Sequence, residues 1–262
     1  MTATMLVMRT HRAMQRRRGP LLLAAVVALA GDLLLRLSGD PATAYASILD
    51  LVLIITPLVG LILGTTQLHH ARDVIALMLA QPVRRRRVFT DLWMGGAVPL
   101  AAALGIGVLA PFVWQGTIWS HGFAMPLALA GAAVMLALIS HSLAMIIALR
   151  LDDRVRALAV ALGAWLLAAV LWDGMILVLA LLLADRPIEM PVLALLTINP
   201  IDVMRVLLLL GSDAAAMLGY TGAVVARGLG TTAGRIVLGS MLVAWLVVPV
   251  WVAARMFERK DF

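Results

Sequence analysis

Six stretches of the chain, roughly residues 20–37, 47–66, 92–114, 126–149, 157–184 and 236–256, run almost without charge. Each is about 18 to 28 residues long, enough to cross a hydrocarbon layer of about 30 Å as a helix. No polar stripe recurs at helical spacing within them, so water does not suit either side of these helices. Lipid does, and in lipid a helix satisfies its own backbone hydrogen bonds. The pattern predicts an all-α polytopic membrane protein with about six transmembrane helices. Residues 1–19 form a basic amphipathic segment and 20–262 one six-helix transmembrane domain. The basic start followed by an apolar run has the shape of a signal peptide. No small-residue cleavage site is clear after Gly31 and five more spans follow, so the run reads as a retained first span.

Between the spans the arginines alternate. Arg9, Arg12, Arg16, Arg17 and Arg18 precede the first; Arg72 and Arg84, Arg85, Arg86 and Arg87 follow the second; Arg150, Arg154 and Arg156 follow the fourth; Arg255, Arg259 and Lys260 follow the sixth. The other connections hold chiefly Arg186, Arg205 and Arg227. The positive-inside rule predicts both termini in the cytoplasm. Two connections exceed a simple turn. Residues 67–91, inside, carry a short helical pattern (Val74, Leu77, Met78) ended by Gln81-Pro82 and the arginine run. Residues 185–234, outside, contain Asn199-Pro200-Ile201-Asp202, where Asn199 can cap a helix starting at Pro200. That helix is predicted to lie on the outer surface with Arg205 toward water.

Composition agrees: 63% of residues are hydrophobic and 13% charged, too apolar for a water-soluble chain of this length. The net charge of +7 comes almost wholly from arginine and reads as topology, not nucleic-acid binding. With no cysteine there is no disulfide, thiolate metal site or cysteine nucleophile. No G-x-x-x-x-G-K-[ST] occurs and Lys260 is the only lysine, so the chain has no phosphate-binding loop of the usual kind. ATP-driven work would need another polypeptide.

Ionisable residues inside spans are costly and therefore functional candidates. Asp32 and Arg36 stand one turn apart near the outer end of span 1, placed to pair. Asp50, about one turn into span 2, reads as an interfacial carboxylate or a cap. Asp173 lies about 24 Å along span 5, where it serves transport or pairs with an interhelical hydroxyl or Arg36. His141, between Ser140 and Ser142, invites a catalytic reading, but adjacent residues do not face one another on a helix and no oxyanion hole is evident; interhelical hydrogen bonding accounts for it. His69-His70 reads as loop, its rings about 100° apart if helical, with no carboxylate one turn away to complete a metal site. The fifteen methionines do not cluster into a copper path. Gly60-xxx-Gly64 permits close helix packing.

Taken in order, several segments resemble the permease subunits of ABC type-2 transporters, most sharply the NosY class, the membrane subunit of the system that matures nitrous oxide reductase. The resemblance rests on Arg12, Arg16 and Arg18; on Leu79-Ala80-Gln81-Pro82-Val83 followed by Arg84 and Val88; on Trp172-Asp173; on Asn199-Pro200-Ile201-Asp202-Val203-Met204-Arg205; and on Trp245 with Met256-Phe257-Glu258-Arg259-Lys260-Asp261. It implies a second copy of the chain, a cytoplasmic ABC ATPase dimer that binds the ATP, and a periplasmic β-helix protein on the outer loops, in a bacterial inner membrane. It implies no cofactor or catalysis in this chain. ATPase coupling would fall to Arg72, Gln81, Pro82, Arg84 and Arg154, and periplasmic partner contact to Asn199, Asp202 and Arg205. The cargo implied is a sulfur or copper species for a periplasmic copper cluster, though no such ligand set is visible. Where the family writes an acidic E-R-E-x-G-T, this chain has His69-His70-Ala71-Arg72-Asp73-Val74, and the expected early Glu is Thr10. That exchange implies an ATPase with a more acidic docking cleft. Other readings are a generic type-2 exporter, a membrane-embedded enzyme using Asp173 or His141, and a scaffold.

Overall fold

The computed structural model describes residues 19–182, 195–210 and 230–260. The basic segment 1–18, residues 183–194 and 211–229 of the outer connection with Arg186 and Arg227, and Asp261 lie outside the described residues. Among those described, the elements are α1 (Gly19–Leu37), α2 (Pro41–Leu79), α3 (Arg85–Trp114), the short α4 (Thr117–His121), α5 (Ala124–Arg150), α6 (Arg154–Leu166), a π turn (Leu167–Leu171), α7 (Trp172–Leu182), α8 (Pro200–Leu210) and α9 (Thr232–Arg259). The π turn joins α6 and α7 into one span, so among the described residues six helices are long and apolar enough to cross a membrane.

α2 departs most from expectation. It begins at Pro41, capped by Asp40, whose Oδ1 accepts the Thr43 N–H at 2.6 Å, and continues to Leu79. That bond holds the Asp40 carboxyl below its usual range. At 39 residues the helix is about 58 Å long, well beyond the hydrocarbon layer. The predicted inner loop 67–91 is therefore the end of α2, a tight connection at 80–84 and the start of α3. The physical reason is that His69, His70, Arg72 and Asp73 lower hydropathy without breaking a helix. No Gly or Pro intervenes between Gly64 and Pro82. His69 and His70 are thus helical, not loop. Asp50 lies nine residues past Pro41, exposed and without an ion pair among the described residues; the cap is Asp40.

α5 is the centre of the bundle, buried over most of its length between α2, α3 and α9. Small residues make the approach possible. A Cβ on Gly60 would stand 2.9 Å from Ala137 O and Ser140 Cβ, and one on Gly64 2.6 Å from Ala144 Cβ. The glycine pair is the α2–α5 seam, as its spacing suggested. Above and below it, Leu53, Leu104, Phe112, Leu129 and Leu136 fill one core, and Leu68, Phe89, Met145 and Phe257 a second nearer the arginine-rich end. The α6–α7 span stands outermost, with Val160, Leu167, Leu171 and Leu177 exposed as an apolar face suited to lipid. Trp165 pins it, its Nε1 donating to Ile54 O at 2.9 Å one turn before Pro57 of α2.

Candidate functional site

Two polar clusters mark opposite ends of the bundle. At the end where α2 closes and α3 opens, Gln81, Pro82 and Arg84 are exposed in the 80–84 connection, and Arg154 is exposed at the first turn of α6. Arg72 is not free beside them. From α2 its Nη2 donates to Ala148 O (3.2 Å) and Leu151 O (3.0 Å) and pairs with Asp152 at 3.1 Å. Lys260 Nζ reaches the same place, donating to Leu149 O at 2.6 Å and Asp152 Oδ1 at 2.8 Å. Two cations thus satisfy the terminal carbonyls of α5, where the helix dipole is negative. The Lys260 bond, with both nearby cations, holds the Asp152 carboxyl below its usual range. Arg85 Nη1 donates to Glu258 O and Lys260 O at 3.2 and 2.7 Å, closing α3 onto the end of α9. Neither contact is visible in the sequence, because the partners of Lys260 and Arg85 lie more than a hundred residues away and leave no local mark.

At the opposite end, Asp32 and Arg36 form the expected ion pair at 2.8 Å. Asp32 also accepts Trp114 Nε1 at 2.8 Å and Gln115 Nε2 at 2.6 Å, so it fastens α1 to the end of α3.

The densest network surrounds α8. Asn199 caps it, its Oδ1 accepting the Ile201 N–H at 3.1 Å with Pro200 next in chain. Its Nδ2 donates to Asp202 Oδ2 at 2.9 Å and to Ala168 O at 2.7 Å. Ala168 lies in the π turn, where the wider winding frees carbonyls for outside donors. Arg205 Nη1 bridges Asp173 Oδ2 at 2.8 Å and Asp202 Oδ1 at 3.0 Å. Arg235 of α9 closes the other end, donating to Leu210 O at 2.7 Å. α8 is therefore no surface helix. Ile201 through Met204, Val206 and Leu208 are buried, and Arg205 turns inward. Nor, among the described residues, is Asp173 partnered by a hydroxyl or Arg36. It lies about 28 Å along the span counted from Arg154, and Arg205 is its partner. Burial of Asp202, then the Asp173 charge, pushes its carboxyl up to about 7. Two carboxylates on one guanidinium make a joint between the fifth span and α8 that is sensitive to their spacing.

His141 sits between the two ends and is fully buried. Among the described residues neither ring nitrogen makes a hydrogen bond of ordinary distance and angle, and the Trp93 backbone lies beside the ring. The interhelical bond expected of it belongs to Ser142, which accepts Trp93 Nε1 at 3.0 Å. Asp173 and His141 do not meet, and among the described residues no group of three His, Asp or Glu could hold a metal.

Among the described residues, five spans surround a sixth, α5, and α8 packs back into the bundle. The family model for ABC-2 family transporter proteins matches residues 8–262, nearly the whole chain. The chain belongs to the ABC-2 transporter family. It is a permease, and its family implies an ABC transporter system with an ATPase partner. Among curated relatives, the permease is 26% identical over 234 residues to the "Probable ABC transporter permease protein NosY" of Stutzerimonas stutzeri, covering 84% of this chain and 81% of that one. It is 28% identical over 227 residues to the protein of the same name in Pseudomonas aeruginosa, covering 82% and 76%.

Proposed function

We propose that two copies of this permease, in a bacterial inner membrane with both termini cytoplasmic, couple ATP hydrolysis by a cytoplasmic ABC ATPase dimer to an event at the periplasmic face. In this reading the arginine-rich end is cytoplasmic, and Gln81, Pro82, Arg84 and Arg154 form the exposed surface that receives the ATPase, with Arg72 holding it rigid from behind. The observation that carries the proposal is the joint at Asp173. One span begins at Arg154, beside that surface, and at its far end grips α8 through Arg205 and Asn199. Tilting the span therefore moves α8. Asn199, Asp202 and Arg205 do not touch a periplasmic partner themselves; they set the position of the segments that would.

The event itself we assign to maturation of the nitrous oxide reductase copper cluster, by delivery of a sulfur or copper species or by a mechanical signal to a periplasmic β-helix protein. Similarity to two proteins named as NosY permeases, and the resemblance of the Asn199–Arg205 segment to that class, support this. The test is mass spectrometry of what co-purifies with the tagged chain, gently solubilised from its native host. An ABC ATPase together with a periplasmic β-helix protein is the expected outcome. An ATPase alone would leave a type-2 exporter and remove the maturation role.

A further inference from the structure

Between α1, α2 and α3, toward the arginine-rich end, lies a cavity of about 640 Å³. That falls in the range of roughly 300–1,000 Å³ typical of small-molecule sites. Its walls are apolar: Leu23 from α1, Val59 and Leu63 from α2, Leu92 and Leu100 from α3. His141 reaches it from α5, and among the described residues neither imidazole nitrogen makes a hydrogen bond of ordinary geometry. Asp91 lines the cavity as well, while other polar groups beside His141 are already engaged. Gln67 donates its amide to Leu92 O at 2.7 Å, Thr66 donates to Ile62 O at 2.8 Å, and Ser142 is held by Trp93.

Gly96 lets His141 and Gln67 pack directly against the backbone of α3. A Cβ at Gly96 would stand 2.7 Å from His141 Cε1 and press against Gln67 Oε1. An unpartnered buried imidazole is destabilising, and proteins tolerate such groups where a ligand completes them. A lone imidazole cannot hold a metal by itself, which leaves hydrogen bonding as its chemistry.

We propose that this cavity binds a small amphiphile, an apolar body carrying one hydrogen-bonding head that meets His141. The cavity is also lined by Gly19 and Pro20 at the start of α1 and by Met78 and Asp91, so access is from the arginine-rich side. The occupant's source is either that leaflet of the bilayer or the adjoining aqueous phase. The site goes beyond the proposed partner set and does not depend on it.

The test uses the full chain in phosphatidylcholine nanodiscs, with 12-bromododecanol as probe. Trp93 stands 6.3 Å from the His141 ring, within reach of quenching by bromine in the cavity. Its share of the emission is the difference between the native chain and Trp93→Phe. Quenching of that share is expected to saturate, with affinity falling five- to tenfold in His141→Phe and staying within threefold in His141→Gln, in line with loss or retention of one hydrogen bond. 1-Bromododecane, which lacks the hydroxyl, is expected to bind both chains equally. Val59→Phe narrows the cavity without touching His141 and should abolish saturation, which keeps the test decisive if His141→Phe does not fold. Unsaturable quenching, or equal affinity in native chain and His141→Phe, or binding kept in Val59→Phe, overturns the proposal. Nanodiscs of brominated-chain phosphatidylethanolamine then separate the sources. Trp93 quenching relieved by dodecanol supports a leaflet lipid, and its absence with dodecanol binding intact supports an aqueous ligand.

Discussion

Replacing Arg205 by methionine tests the joint between the fifth span and α8. The guanidinium is 28% exposed and bridges Asp202, which is 1% exposed, to Asp173, which is 42% exposed. Removing one partner of a fully buried pair costs about 3–5 kcal/mol because the other charge is left without compensation. Partial exposure of Arg205 and Asp173 brings this to about 3 kcal/mol. Asp173→Asn loses a single bond at the exposed side of the joint and costs about 1 kcal/mol. At about 2–4 °C per kcal/mol for a chain of this size, Arg205→Met should lower the unfolding temperature by about 6–12 °C and Asp173→Asn by about 2–4 °C. The assay is thermal unfolding in nanodiscs, followed by tryptophan emission. Asp202→Asn combined with Arg205→Met removes the stranded charge, so the double variant should recover at least half of the loss. The deficit of Arg205→Met should also be larger at pH 8.5 than at pH 6, where Asp202 is protonated. A deficit under 2 °C, or a larger loss in Asp173→Asn than in Arg205→Met, would refute the reasoning.

Three further outcomes are expected. Because the Asp202 carboxyl is raised to about 7, above its usual value near 3.8, its contribution to stability is full below the usual value and is lost as pH rises through about 7; the unfolding temperature should decline from pH 5 to 8, less steeply in Asp202→Asn. Lys260→Met removes bonds to Leu149 O and Asp152 and should cost about 1–2 kcal/mol, with faster amide exchange over 149–154 as the check. Gly64→Val forces carbon into the α2–α5 seam, where a Cβ already falls 2.6 Å from Ala144; it should cost about 3 kcal/mol, against under about 0.5 kcal/mol for Gly163→Ala, which has open space around it.

The spans were legible because hydropathy and length report lipid solvation directly, and so was the Asn199-Pro200 helix start, because a cap is a local device. Hydropathy ended span 2 at residue 66, since it registers the cost of His69 and Arg72 in lipid but not their competence in a helix that leaves the bilayer. α8 read as a surface helix because Arg205 marked a polar face. Its carboxylate Asp173 stands 32 residues away, and nothing in a single sequence announces that distance. The same limit hid Lys260 at the end of α5. Conversely, His141 between two serines looked ready to bond, and only packing shows that Ser142 does so while the imidazole is buried at the edge of a cavity.

In the proposed coupling, work at the arginine-rich face reaches α8 through the fifth span. Hydrogen exchange of the permease in complex with its native ATPase, compared without nucleotide and with ATP and vanadate, tests it most directly. Changed protection is predicted at 80–84 and, in the same samples, at 195–210, with the second change abolished by Arg205→Met. A change at 80–84 while 195–210 stays as it was would contradict the claim and leave the chain a scaffold for its ATPase.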